Sequence, residues 1–348
     1  MRAARTAALC LTCLMLLSGC TSGSREPDEL TVVRLAAADS DGKTVTVTAF
    51  PAPLEGGEEK EEGQETRTGT GADPAEACLM LASDGGSFAF LGHTEHILVG
   101  DAMAGQGIRA LLECAVLGDS MRPDAYLWLV EGDTAAVWGQ AAGGDNGAKK
   151  LSAYCTDSGT RRKVMAWTAA QSLNRLLRTG VAPVPVLPAG GGEPEGYALL
   201  TEEGKAGILK NEDAEGLELL LGQTCHHTLK AGEIVLEVVS VSTEVEPVWS
   251  KGTFYGVEVT CRLTARRANG SNWAEKNVAD AENELKQWAE ARLNAVWEKL
   301  KAWNVDGGEL RHRALTASAW QTEKLKADWP DELSRLRIAF SVETHIDF

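Results

Sequence analysis

The sequence is short of positive charge. Its 34 Lys and Arg stand against 50 Asp and Glu, for a formal net charge of −16. Such a field repels phosphate backbones and anionic lipid headgroups, so nucleic acid is not a partner this chain is built for. Long apolar runs are missing as well, and a polytopic membrane protein is excluded. Eight cysteines occur, at 10, 13, 20, 78, 114, 155, 225 and 261. The first three lie in or at the end of an N-terminal apolar segment. The other five are odd in number and irregular in spacing, and no CxxC follows residue 20, so a disulfide framework is not indicated. They read mainly as small buried hydrophobes, with one optional pair. Catalytic signatures are scarce too. There is no P-loop, the glycine-rich GGGEPEG lacks the lysine and hydroxyl of a phosphate cradle, and neither G-x-S-x-G nor S-x-x-K stands in a strand-turn-helix context. What remains has the 44% hydrophobic and 24% charged content of a folded protein, long enough for about two domains.

The N-terminus carries the most specific pattern. Arg2 and Arg5 precede an apolar stretch, Ala7 to Ser18, of signal-peptide length and too short to span a bilayer. It ends in Leu17-Ser18-Gly19-Cys20, which resembles the lipobox of bacterial lipoproteins. That chemistry needs a thiol at the first mature position to accept diacylglycerol, and small residues before it to fit the signal peptidase. Residues 1–19 are therefore expected to be a lipoprotein signal peptide. Cys20 is the candidate lipidation site, and residues 20–29 are a lipidated tether. Two acyl chains hold a protein stably where one does not. The nine residues after Cys20 reach at most ~30 Å, so the body is expected close to the outer face of a membrane.

The mature chain reads as α+β, in two main mixed α/β-sheet domains with a small third one left open. Residues 30–182 form the first, 183–196 a Pro/Gly linker, and 197–348 the second. The first opens with a hairpin, Leu30 to Ala36 and Thr44 to Phe50 about the Asp41-Gly42 turn. Residues 51–72 are expected to be a loop, with Glu55, Glu58, Glu59, Glu61, Glu62 and Glu65 as a solvated face. Asp73-Pro74-Ala75-Glu76 starts a helix to about Ala82. A strand follows at Ser87 to Leu91, then a helix from Asp101 to about Leu117, a central strand at Ala125 to Val130, and a helical turn at Thr134 to Trp138. Residues 139–160 read as loop and Arg161 to Arg178 as helix. In the second domain, short strands near Tyr197–Thr201 and Ala206–Leu209 precede longer ones at Glu233–Val245 and Tyr255–Arg267. The last strand alternates Val257, Val259, Cys261, Leu263 and Ala265 against charged and polar residues, as a half-buried antiparallel strand does. Residues 273–303 give the longest helix, with Val278, Ala281, Leu285, Ala289, Leu293, Val296, Leu300 and Trp303 on one face. A second helix covers Leu315 to Asp328, and an alternating strand ends the chain. This domain is expected to be an antiparallel sheet packed by the long helix.

Two constellations could carry chemistry, one of them in two ways. His93 and His96 enclose Thr94-Glu95, a spacing unlike the i, i+4 pair of the zincins, and no third ligand is suggested nearby except Asp101. Cys225-His226-His227 is dense in ligands, but neighbours on an extended segment point to opposite faces. The same geometry works against a Cys–His nucleophile pair. None makes a catalytic set, so no catalytic residue, metal or cofactor is expected.

The block FAFLGHTEHILVGDAMAGQGI, residues 88–108, resembles the signature of the Ger(x)C family, the lipoprotein C subunits of spore germinant receptors. The features are Gly92-His93, the run Ile97 to Val99, Gly100-Asp101, Ala104 and Gly107-Ile108. GTGADPAEA, residues 69–77, is similar to that family's opening to the preceding helix. The long helix leading to Val305-Asp306-Gly307-Gly308, then Trp320, Trp329 and a final alternating strand, is similar too. The chain departs from the family at Ala37-Ala38-Asp39, where Gly-Ile-Asp is common, in the glutamate-rich loop, and across residues 139–195. The resemblance implies a non-enzymatic receptor subunit on the outer leaflet of the spore inner membrane. Its implied partners are two integral-membrane subunits, A and B, the latter transporter-like, with the membrane held through the lipid anchor. No small-molecule ligand is expected of this subunit. The alternatives are a solute-binding lipoprotein of a transporter and an anchored metalloenzyme using His93 and His96.

Overall fold

The computed structural model describes residues 30–52, 66–83, 88–118, 121–156, 163–232, 234–268 and 276–347. The first hairpin forms as expected, from β1 (Leu30–Ser40) and β2 (Val45–Pro51). Asp41 closes the turn itself, its Oδ1 accepting from the backbone of Lys43 and Thr44 at 2.8 Å each. The expected loop at 51–72 contains a third antiparallel strand, β3 (Arg67–Gly71); the glutamates of residues 53–65 lie outside the described residues. The first helix, α1 (Pro74–Ser83), has the predicted start. Asp73 Oδ1 accepts from Glu76 N at 2.9 Å, and Glu76 Oε2 from Ala72 N at 2.6 Å.

β4 (Phe88–Phe90) and β5 (His96–Gly100) run parallel to β1, one after the other along the same edge. The helix expected from Asp101 to Leu117 is two pieces, α2 (Asp101–Ala104) and α3 (Arg109–Leu117). Gly107 breaks it: its φ is 96°, and a Cβ there would sit 2.2 Å from the Glu202 carbonyl oxygen. β6 (Tyr126–Val130) is central, as its apolar run predicts.

The segment 139–195 departs most from the sequence reading. Residues 139–160, expected as loop, hold the end of α4 (Ala135–Ala141) and all of α5 (Asp145–Thr156). Gly143 and Gly144 mark only the break between them, and α5 buries Ala148, Leu151 and Tyr154. The helix expected over Arg161–Arg178 is shorter, α6 (Ala169–Thr179), started by a reciprocal cap between Thr168 and Gln171.

The expected linker at 183–196 opens inside β7 (Val181–Leu187), every residue of which is buried. Alternation explains how a strand inside a sheet tolerates Pro183 and Pro185. Val186 O accepts from Glu195 on the side of β8 (Gly196–Thr201), and Leu187 O accepts from Glu131 on the β6 side. The prolines share the parity of Leu187, so their donorless nitrogens face β6. There the start of β6 is already paired by Trp167 to Ala169. With β9 (Lys205–Lys210), the first sheet has nine strands, in the order β3-β2-β1-β5-β6-β7-β8-β9 with β4 beside β1. It therefore runs on through the expected linker.

The second sheet is β10 (Thr228–Ala231), β11 (Ile234–Ser250), β12 (Thr253–Arg267) and β13 (Ile338–Asp347), in that order. Its pairings are antiparallel except the last, where β13 joins β12 in parallel. The alternating face of β12 is buried as predicted. α7 (Glu212–Leu220) precedes this sheet, and α8 (Lys276–Trp303), about 42 Å long, packs across it. The single helix expected over Leu315–Asp328 is α9 (Leu310–Ala317) and α10 (Thr322–Asp328), joined by a tight turn. One face of the first sheet is covered by α1, α3 and α6. The apolar core on its other face, with α4 and α5, continues without a break into the second sheet and α8. Among the described residues no helix is long and apolar enough to cross a membrane.

Candidate functional site

The block at residues 88–108 lies along β4, β5 and the chain that leaves the carboxyl end of β5. At the neighbouring end of β1, Asp39 accepts from Ala135 N at 2.7 Å and Ala136 N at 3.0 Å, so its carboxylate caps α4. Burial pushes this carboxyl up from the usual range, against the lowering effect of those two bonds. Gly100 must be glycine, because a Cβ would lie 2.0 Å from Asp39 Oδ1. Asp101 pairs with Lys205, and Arg109 with Glu202 at 2.7 Å and Glu113 at 2.8 Å. The Gly-Asp pair thus fastens β5 to the cap of α4 and to the start of β9. It is a structural joint.

His93 and His96 do not converge. His96 is fully buried on β5; Trp128 Nε1 donates to its Nδ1 at 3.1 Å, and its Nε2 lies 2.8 Å from Ser152 Oγ. With Nδ1 accepting, the proton sits on Nε2 and the ring is neutral. Burial pulls its pKa down to about 4. His93 is exposed on the turn before β5, edge-on to Phe90 at 5.3 Å. Asp101 is beyond the far end of β5.

Cys225, His226 and His227 also diverge, as neighbours on an extended segment should. Cys225 is buried, and His226 faces outward with Nδ1 3.8 Å from Glu237 Oε1. His227 turns inward, with Nε2 2.7 Å from Glu218 Oε2. The other Glu218 oxygen accepts from the Tyr197 hydroxyl, which itself accepts from Met165 N at 2.9 Å. Burial and the adjacent carboxylate push the Tyr197 hydroxyl well above its ordinary range. This buried Tyr-Glu-His chain borders a cleft of about 520 Å³ shared with Lys163 and Lys210. The sequence singles out only His227 among its members, because they come from β8, α7 and the strand approach to β10.

A second cleft, of about 650 Å³, opens where α6 meets α9 and α10, lined by Arg178, Asp306, Arg311, His312, Lys326 and Trp329. Beside it Glu309 bridges Arg175 and Arg178, both at 2.7 Å. The Arg175 guanidinium stands 4.5 Å over the Trp167 ring. Arg313 donates to the carbonyls of Leu220, at 2.7 Å, and Thr243. Among the described residues no group of three or more His, Cys, Asp or Glu is placed to hold a metal ion. Cys20 lies outside the described residues.

Two family models match the chain. One, described as spore germination protein N-terminal domain, matches residues 23–180; the other, described as spore germination B3/GerAC like, C-terminal, matches residues 195–347. The crystal structure of the GerBC protein superposes with a TM-score of 0.59 at 15% identity, over 90% of this chain and 97% of that one. That likeness is one of fold. No curated protein gives a significant match.

Proposed function

Because the chain belongs to the GerAC-like spore germination family, we propose that it is the lipid-anchored, non-catalytic C subunit of a nutrient-germinant receptor. The observation that carries this reading is the pair of family matches, which together take in both halves of the chain. Cys20 is the acylated residue, and residues 20–29, which lead into β1, hold the body against the outer leaflet of the spore inner membrane. The body works by contact with the integral-membrane A and B subunits. Its polar clusters fit that role: Asp39, Asp101, Glu218 and Glu309 are each committed to a structural partner. Contact area is available in Leu117, Leu177 and Trp320, the last 99% exposed.

The test is made in spores. Cys20→Ala is expected to move the protein from the membrane fraction to the soluble fraction with its fold intact by circular dichroism. The unmodified chain is expected to co-purify with the A and B subunits. Membrane retention of the variant would overturn the anchor; a deletion strain germinating normally on every nutrient would overturn the receptor role.

A further inference from the structure

Two cysteines far apart in sequence face one another across a helix pair. Cys78 lies on α1 and Cys114 on α3, 36 positions on, with their Sγ atoms 4.0 Å apart. Both helices are held firmly. α1 is seated on β3, where a Cβ on Gly69 would meet the Ala77 carbonyl oxygen at 2.1 Å. α3 is seated by Leu111, Leu112 and Ala115, all fully buried. The thiols therefore face each other because of packing, and no mobile loop has to bring them together. We propose that Cys78 and Cys114 form a modifiable dithiol, which closes to a disulfide pinning α1 to α3. A bond of about 2.05 Å asks each sulfur to move roughly 1 Å, a shift of the order that side-chain rotation supplies.

The two thiols have different roles. Cys78 is 2% exposed, whereas Cys114 is partly open to solvent. Burial disfavours the thiolate on Cys78, so Cys114, which solvent reaches, is the attacking thiol. The oxidant is a low-molecular-weight disulfide, RSSR. The Cys114 thiolate attacks one of its sulfurs, forming a mixed disulfide and releasing RS⁻. Cys78 then attacks Cys114 Sγ, gives up its proton and releases the second thiol. Two protein thiols are oxidised and one RSSR is reduced to two RSH.

The inference goes beyond the receptor reading and does not depend on it. Full-length reduced protein in detergent is incubated with oxidised glutathione, alkylated with N-ethylmaleimide, digested and analysed by mass spectrometry. The expected result is a Cys78–Cys114 linked peptide and a melting temperature about 5 °C higher than that of the reduced protein. Cys78→Ser and Cys114→Ser should each abolish that rise. Both residues remaining alkylated in oxidised, folded protein would overturn the proposal. So would glutathione held stably on Cys114, or either cysteine linked elsewhere. A chain that forms the bridge yet is found free of membranes would count against the receptor reading alone.

Discussion

His96 makes the fold sensitive to acid. Its ring is buried and neutral, with a pKa of about 4, whereas an unfolded histidine titrates near 6.5. Between those values the unfolded chain takes up the proton and the folded chain resists it, so stability falls as pH falls through the window. The protein is expected to lose about 2 kcal/mol between pH 7 and pH 5 from this residue. His96→Gln should lower stability at pH 7 but flatten that slope, as read from urea midpoints at both pH values. An unchanged slope in the variant would assign the acid sensitivity to other groups. The histidine itself is conspicuous in the sequence, but its role is not. Trp128 and Ser152, which fix its tautomer, are 32 and 56 positions away. Gly100 is similar: it belongs to a visible Gly-Asp pair, but its reason for being glycine is an oxygen of Asp39 on another strand.

At the level of elements, legibility follows locality. The long stripe of α8 and the alternation of β12 are readable because periodicity alone decides which residues a helix or strand buries. Leu293 sits in the middle of that stripe and is fully buried. Leu293→Ala is expected to cost about 3–4 kcal/mol in a denaturant titration, the range for a truncated core leucine. Elements whose sequences carry breakers mislead. α5 follows two glycines and begins Asp-Asn-Gly, so its local propensity is poor, and burial of Ala148, Leu151 and Tyr154 is what makes it helical. β7 carries two prolines that only the local pairing of β6 can accommodate. α7 has a glycine at its centre because its neighbour comes very close: a Cβ on Gly216 would lie 2.3 Å from the Arg292 carbonyl oxygen. None of these facts can be seen without the partner element.

Across the whole molecule, the two sheets are joined by one apolar core and by a charged clasp. Glu309 on the approach to α9 holds Arg175 and Arg178 of α6, and the side chains of Glu309 and Arg175 are only 11% and 15% exposed. Removing the carboxylate leaves the largely buried Arg175 guanidinium without its partner and beside a second cation, Arg178. Glu309→Gln is expected to cost about 3 kcal/mol, the range for breaking a buried ion pair. Calorimetry should still show a single transition, since the core beneath the clasp is shared. Two separate melting steps would show that the halves are coupled mainly through the clasp. A contact such as Arg178 to Glu309, spanning 131 positions, has no local signature in the sequence, whereas the order of strands and helices around it is largely readable.

The position of β1 has a mechanical consequence. The strand enters the sheet at Leu30, flanked on one side by β2 and on the other by β4 and then β5. Tension applied to the chain at that entry along the strand axis would load the ladders on both sides in shear. A terminal strand peeled from an edge would instead release one bond at a time. With the proposed anchor at Cys20, drag on the body would be borne by a strand two in from the sheet edge and not by the edge itself.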